Sequence, residues 1–178
     1  MRYFCVLIAG VFLFLALSGC FRGRQGLSVI GYRNQMVFIK KDLFYRVGPL
    51  SGDWDGLKTG VKAAAFHNEK IGGTISTDAF CGASFEDLPL NVLTNQLFAD
   101  THRKNTEQGA ELVLDGRGAL RTVADGQVDG VPLKFDSVVV KKDGCTIDFI
   151  YIVPPENYLA GVKEFETFYG GFSFGKNI

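Results

Sequence analysis

The sequence has little of several residue types on which common functions depend. It contains two histidines and five prolines in 178 residues, and its 19 basic side chains are balanced by 19 acidic ones. This balance argues against the basic surface of nucleic-acid-binding domains, so we predict that nucleic acid is not a partner. Zinc-protease, phosphate-loop and nucleophile-elbow motifs are missing. We therefore expect no metal, no cofactor and no enzymatic activity.

Cysteine is also scarce, and the position of each cysteine is informative. Cys5 lies within the N-terminal apolar segment and Cys20 stands three residues after its end, which leaves Cys81 and Cys145 as an even pair. There is no C-x-x-C motif and no cysteine within motif distance of a histidine, which disfavours redox and metal roles. We expect a structural disulfide between Cys81 and Cys145, with two buried free thiols as the alternative.

One apolar run stands out, and it is at the N-terminus. The uncharged segment 4–17 follows Met1-Arg2 and is too short to span a bilayer comfortably. It ends in Leu17-Ser18-Gly19-Cys20, which resembles the lipobox of bacterial lipoproteins. The resemblance implies that residues 1–19 are a signal peptide and that Cys20 carries the lipid that attaches the protein to the membrane. A plain signal peptide, or an uncleaved anchor, is the alternative interpretation.

The residues after Cys20 bear on location and on domain boundaries. We assign residues 20–34 to a tether and residues 35–178 to a single α+β domain. Phe21 stands where an aspartate would resemble an inner-membrane retention signal. In a bacterium with two membranes, this favours the periplasmic face of the outer membrane over the inner membrane. Arg22 and Arg24 either contact anionic headgroups or belong to a solvated tether.

Strand and turn patterns dominate the predicted domain. Asp129-Gly130 is a strong hairpin signal, and Asp115-Gly116 and Asp143-Gly144 also predict turns. The segment 145–153 is the most apolar of the predicted strands. Because successive strands are joined by tight connections, we expect an antiparallel sheet.

Two helices are predicted on this sheet. For the first, Asp87 is the expected N-cap and Pro89 lies in the first turn, followed by leucines at helical spacing: Leu90, Leu93 and Leu97. The last helix follows Pro154-Pro155 and has an apolar stripe, which we expect to pack on the sheet: Tyr158, Val162, Phe165, Tyr169 and Phe172.

This order of elements, together with three local motifs, resembles the PsbP-like fold of Mog-type proteins and small bacterial lipoproteins. The motifs are Tyr45 to Trp54 with Pro49 between them, Asp115-Gly116-Arg117 with Ala119-Leu120, and Phe165-x-x-Phe168-x-x-Gly171-Phe172. The resemblance covers about residues 43–174. It implies an antiparallel sheet flanked by two main helices, an α/β/α sandwich, and a binding or assembly role with no catalytic residues to transfer.

We therefore interpret the chain as a membrane-anchored, non-catalytic binding or assembly module of the cell envelope, with an envelope protein as its expected partner. A carrier or sensor of a small apolar ligand is the alternative, and a hydrolytic enzyme is a weaker one. An exposed apolar patch would favour the first function, and a deep apolar cavity the second. The histidines, His67 and His102, are assigned surface or structural roles.

Overall fold

Two antiparallel sheets and two helices make up the part of the chain that the computed structural model describes, residues 27–58, 63–82, 88–99, 101, 105–106 and 109–176. The predicted α+β class, with antiparallel strands and two main helices, is confirmed. The predicted signal peptide, Cys20, the predicted N-cap Asp87 and His102 lie outside the described residues.

The large sheet has eight strands, and the segment 145–153 forms its central strand. Its strands in spatial order are β4 (Asp55–Gly56), β5 (Ala64–Asn68), β6 (Gly73–Cys81), β11 (Cys145–Val153), β10 (Val131–Lys142), β9 (Arg117–Val128) and β7 (Asn105–Thr106), with β8 (Ala110–Leu114) also paired to β9.

The small sheet has four strands, in the order β1 (Gly31–Arg33), β2 (Met36–Lys40), β3 (Leu43–Arg46) and β12 (Ser173–Lys176). One sheet was predicted from the sequence, whereas the described residues form two. The reason is that β12, the last described strand, returns to pair with β3 near the start of the domain.

Two-residue turns set the register of four hairpins. In each turn both central residues have positive φ, the conformation that matches the twist of the flanking strands. These pairs are Asn34-Gln35, Asp115-Gly116, Asp129-Gly130 and Asp143-Gly144. The three turns predicted from Asp-Gly are confirmed, and the local sequence accounts for the meander from β8 to β11.

One face of the large sheet is covered by the small sheet and the second helix, and an aromatic layer fills the space between them. Tyr45 on β3 is fully buried and lies edge-on to Phe149 at 6.3 Å between ring centroids. The Tyr45 hydroxyl forms a 2.8 Å hydrogen bond with Thr77 Oγ1 on the large sheet. Burial raises the pKa of Tyr45, so this hydroxyl stays protonated as a structural group.

The second helix, α2 (Tyr158–Gly170), follows a short 3-10 turn, Pro155–Asn157. Its buried side chains are Phe165 and Phe168, whereas Tyr158, Val162 and Tyr169 of the predicted stripe are only partly buried. Packing on the sheet is confirmed, but the buried face is rotated toward Phe168. The rotation brings the Phe168 ring within 6.1 Å of Phe149 and 5.7 Å of Phe66.

A glycine contact fixes the position of α2 beside the small sheet. The Gly48 amide donates to the Phe168 carbonyl at 2.8 Å, and a Cβ at Gly48 would collide with the Thr167 carbonyl. A Cβ at Gly171 would in turn collide with the backbone of Gly48. The loop after β3 and the end of α2 can therefore approach this closely only because both positions are glycine.

The opposite face of the large sheet is covered by the first helix, α1 (Leu90–Leu97). Leu93 and Thr94 are buried there, and the Phe98 ring lies edge-on to Phe135 of β10 at 5.9 Å. Pro89 occupies the N-cap position. Neither helix in the described residues is long and apolar enough to cross a membrane.

The predicted tether ends earlier than residue 34. Leu27 forms two backbone hydrogen bonds with Cys81, of 3.1 and 2.9 Å, and Val29 is buried in the core. Residues 31–33 form β1. Residues 27–33 belong to the folded domain, because Val29 packs in the core and the backbone is hydrogen-bonded to strands of the two sheets.

We predict that Phe165→Ala lowers the free energy of unfolding by about 3–5 kcal/mol, because it empties a fully buried aromatic site. Leu159→Ala on the same helix is the control and should change it by less than about 0.5 kcal/mol, because Leu159 is 80% exposed. Urea denaturation measures both values. An equal effect of the two substitutions would contradict the assignment of the buried face.

Candidate functional site

A cavity lies between α1 and the polar face of the large sheet. Its volume is about 210 Å³, and its lining residues come from β6, α1 and β11: Phe80, Leu93, Gln96, Leu97, Thr146 and Asp148. The wall is mainly apolar, with three polar side chains. An engineered apolar cavity of about 150 Å³ holds a benzene molecule, so this volume suffices for a small organic ligand.

Unsatisfied polar atoms concentrate at this interface. Four buried side-chain atoms of the described residues have no hydrogen-bond partner, and three of them lie between α1 and the sheet: Thr94 Oγ1, Thr146 Oγ1 and Asp148 Oδ1. A buried polar atom without a partner costs about 1–3 kcal/mol, more when it is charged. Such buried atoms require an explanation, and the neighbouring cavity makes this interface a candidate binding site.

Two carboxyl groups meet on this face. Asp148 on β11 and Asp78 on β6 are direct cross-strand partners in the sheet register. Asp148 is only 5% exposed, and Asp78 is half-buried. Like charges placed opposite each other on neighbouring strands repel, so this pair destabilises the sheet when both groups are ionised.

Burial, and secondly the charge of Asp78, raise the pKa of Asp148 from its ordinary value of 3.8 to about 7. Asp148 is therefore poised to change protonation near neutral pH. A carboxyl group with a perturbed pKa, located in a cavity, is a candidate functional group.

A second polar cluster of the domain differs from the one beneath α1, because its side chains form hydrogen bonds with one another. The fully buried carboxylate of Asp136 accepts hydrogen bonds from Arg121 Nε at 3.0 Å and Arg121 Nη2 at 2.6 Å. It also accepts a hydrogen bond from the Tyr158 hydroxyl at 2.8 Å. Arg121 also bonds Glu166 at 2.8 Å and Tyr169 at 3.2 Å. The hydrogen bond with Asp136 raises the pKa of Arg121, and the network attaches α2 to the sheet.

The structure brings the two predicted cysteines together. Cys81 and Cys145 are cross-strand partners in β6 and β11 and form a disulfide, with an S–S distance of 2.06 Å. The disulfide closes the end of the strand pair that carries Asp78 and Asp148. Both cysteines are buried, which gives them a structural role.

Several other histidine and aspartate side chains of the domain make ordinary contacts. His67 Nδ1 lies 3.2 Å from Thr74 Oγ1, and Asp53 forms an exposed 2.7 Å ion pair with Lys70. Asp115 accepts Lys142 at 2.6 Å and the Phe174 amide at 2.9 Å, and these bonds lower its pKa. Within the described ranges, no group of three or more His, Cys, Asp or Glu side chains could hold a metal ion.

Neither Asp78 nor Asp148 was predicted from the sequence as a site residue. Asp148 is the one charged residue in the nine-residue strand 145–153, and this was the available signal. A lone acid in an otherwise apolar strand indicates a buried carboxyl group. Its pairing with Asp78 depends on the register of strands 70 residues apart and has no local signature.

A more open groove of about 790 Å³ lies beside the start of α1. It is lined by Leu90 and Asn91 of the helix and by residues 111–113 and 118–120 of β8 and β9. Val113 is 72% exposed there, so the groove presents apolar surface to solvent.

Comparisons with known proteins concern the fold. No protein-family model matches the chain, and no curated protein matches its sequence. LpqN of Mycobacterium tuberculosis, which is involved in cell envelope biogenesis, has a TM-score of 0.54 at 11% identity, over 74% of this chain and 84% of LpqN. A Bacteroides thetaiotaomicron protein has a TM-score of 0.55 at 14% identity, over 86% of this chain and 49% of its own length.

The PsbP protein CyanoP of Synechocystis sp. PCC 6803 has a TM-score of 0.48 at 15% identity, over 88% of this chain and 98% of CyanoP. The likeness to LpqN and to the Bacteroides protein shows a shared fold alone.

We predict that Asp148→Asn changes the pH dependence of stability. Because the folded pKa is raised, Asp148 contributes stability that is complete below about pH 4 and is lost as the pH rises through about 7. The variant should therefore be more stable than the wild type at pH 8, by up to about 4 kcal/mol, and similar to it at pH 4.

Urea denaturation at both pH values measures this difference. Asp125→Asn is the control, because Asp125 is partly exposed and paired with Lys134 at 3.3 Å. A wild-type minus Asp148→Asn difference that does not vary with pH would contradict the assignment.

Proposed function

We propose that the protein is a lipoprotein of the bacterial cell envelope, attached to the membrane through Cys20, and that its domain is a non-catalytic binding module. The observation that supports the binding role best is the cavity beneath α1, where Asp148 Oδ1 has no hydrogen-bond partner. Of the two binding functions considered from the sequence, this geometry favours a carrier or sensor of a small ligand.

The start of the folded domain supports a role close to the membrane. Leu27 is hydrogen-bonded to Cys81, and six residues lie between Cys20 and Leu27. The seven Cα–Cα steps from Cys20 to Leu27 span at most about 25 Å when fully extended. A lipid at Cys20 would therefore keep the domain close to the bilayer and raise the local concentration of the cavity there.

The proposed location is the periplasmic face of the outer membrane, if the host has two membranes. LpqN, which shares the fold, is involved in cell envelope biogenesis, and this is in keeping with an envelope role. Two acyl chains anchor a protein stably, whereas a single chain binds marginally.

Hydrolysis is the less favoured activity. A nucleophile of the Ser or Cys type needs a neighbouring base. His67 contacts a threonine instead, and both cysteines of the described domain are in the disulfide. Among the described lining residues of the cavity, Asp148 is the one group that could act as an acid or base, and Gln96 and Thr146 are the other polar side chains.

An assembly role with an envelope protein is the second candidate. The groove between α1 and β8–β9, with Val113 72% exposed, supports it because an exposed apolar surface is typical of protein-binding sites.

We predict that Cys20→Ser abolishes lipid attachment and leaves the unprocessed precursor, because the thiol is the proposed acceptor of the diacylglyceryl group. Cys5→Ser is the matched control and should be processed and labelled normally, because Cys5 belongs to the proposed signal peptide. Metabolic labelling with palmitate and the intact mass of the protein measure both outcomes.

Normal labelling of Cys20→Ser would contradict the lipoprotein assignment. The non-catalytic assignment is contradicted separately, by hydrolytic turnover of the purified protein that is lost in a folded Asp148→Asn variant.

A further inference from the structure

We propose that the cavity beneath α1 binds a small neutral molecule with an apolar body and one hydroxyl group, and that the side chains of Thr146 and Asp148 hold this hydroxyl group. A small aromatic alcohol is a compound of this class. The inference names the ligand class of the proposed binding module and rests on that function. It does not depend on lipid attachment at Cys20.

Two oxygen atoms of β11 define the polar part of the cavity. Thr146 and Asp148 are alternate residues of this strand, so their side chains lie on the same face of the sheet, and both line the cavity. They are 3% and 5% exposed. In the part of the chain that the structure describes, Thr146 Oγ1 and Asp148 Oδ1 have no hydrogen-bond partner. A ligand that supplies the missing hydrogen bonds would remove the cost of burying both atoms.

One hydroxyl group matches both side chains. It can donate its proton to Asp148 Oδ1 and accept one from the Thr146 hydroxyl, because an O–H group is a donor with two acceptor lone pairs. A ketone or an ether can accept a hydrogen bond but cannot donate one to a carboxylate. Alternate strand residues are about 7 Å apart, and two O–H···O bonds through one oxygen span about 5.5 Å. These spans are close enough for one ligand oxygen to serve both side chains.

The same hydroxyl group suits both protonation states of Asp148. Burial raises the pKa of Asp148 to about 7, so the ionised and the protonated form both occur near neutral pH. The ionised form accepts the ligand proton, and the protonated form can donate to the ligand oxygen instead. Recognition of a hydroxyl group therefore does not require one fixed charge on Asp148.

The apolar body of the ligand follows from the remaining walls. Phe80, Leu93 and Leu97 provide the apolar surface, and Phe80 lies opposite Thr146 in the strand pairing. The cavity volume of about 210 Å³ exceeds that of an engineered cavity of about 150 Å³ that holds benzene, which leaves room for a ring with one short polar substituent. A charged group would lose its water shell against these walls, and this cost favours a neutral ligand.

The test compares two ligands of nearly the same size that differ in the hydroxyl group. Benzyl alcohol and toluene are titrated into the purified full chain in lipid nanodiscs, with the leucine methyl groups labelled with ¹³C. The NMR shifts of the Leu93 and Leu97 methyl groups report occupancy of the cavity itself. Affinities are referred to the measured aqueous ligand concentration, so that uptake by the lipid cancels. We expect benzyl alcohol to bind about 10- to 100-fold more tightly, because toluene leaves both oxygen atoms without partners.

Substitutions at the two positions assign this preference to the cavity. Thr146→Val and Asp148→Leu each remove one partner and should each reduce the preference by about 5-fold or more, with folding checked by thermal unfolding. Thr146→Ser restores a hydroxyl group and should keep the preference. Thr94→Val is the matched control, because Thr94 Oγ1 is also buried without a partner between α1 and the sheet, but Thr94 is not among the described lining residues. This variant should keep the preference as well.

The outcomes separate the inference from the function on which it rests. Equal affinities for the two ligands, or a preference that persists in both Thr146→Val and Asp148→Leu, would show that the hydroxyl inference is wrong while the binding module stands. Tighter binding of benzylamine than of benzyl alcohol would overturn the neutral class in the same way. If none of the three compounds shifts the leucine methyl signals, the cavity holds water only, and the small-ligand function fails with it.

Discussion

The contact between Gly48 and Gly171 is the constraint on which the rest of the arrangement depends. It lets the loop after β3 touch the end of α2, so the small sheet and the helix lie side by side on one face of the large sheet. Both can then contribute rings to the same layer, in which Phe149 lies between Tyr45 and Phe168. A side chain at either glycine would separate the two coverings and open the aromatic layer to water.

The two faces of the large sheet therefore differ: one packs the hydrophobic core, and the other carries the cavity with Asp148. The face toward α2 buries aromatic and aliphatic side chains, and Asp136, a deeply buried carboxylate on that face, is paired with Arg121 and Tyr158. The face toward α1 buries Asp148 without such a partner. Since the first face already provides most of the apolar burial, the second can tolerate unsatisfied groups around a cavity.

Local signals account for most of what the sequence predicted, and long-range pairing accounts for what it missed. The Asp-Gly turns were predictable because two residues determine each turn, and strand 145–153 because its apolar run is continuous. The small sheet was not recognised as separate, because the pairing of β12 with β3 joins distant segments. The face of α2 was misplaced toward Tyr169, because one helical stripe cannot show that Phe168 packs against Phe66. Asp78 and Asp148 went unnoticed for the same reason, since each looks like an isolated residue in its own strand.

The short pairing of Leu27 with Cys81 also has a mechanical meaning. Any pull on the N-terminal end of the chain reaches the domain first at Leu27, whose two hydrogen bonds hold it to the last residue of β6. From there the force passes through the Cys81–Cys145 bond into the central strand β11. The tether therefore pulls on the domain beside a disulfide. Tension is transmitted to the central strand of the sheet, and no edge strand has to separate from its neighbour first.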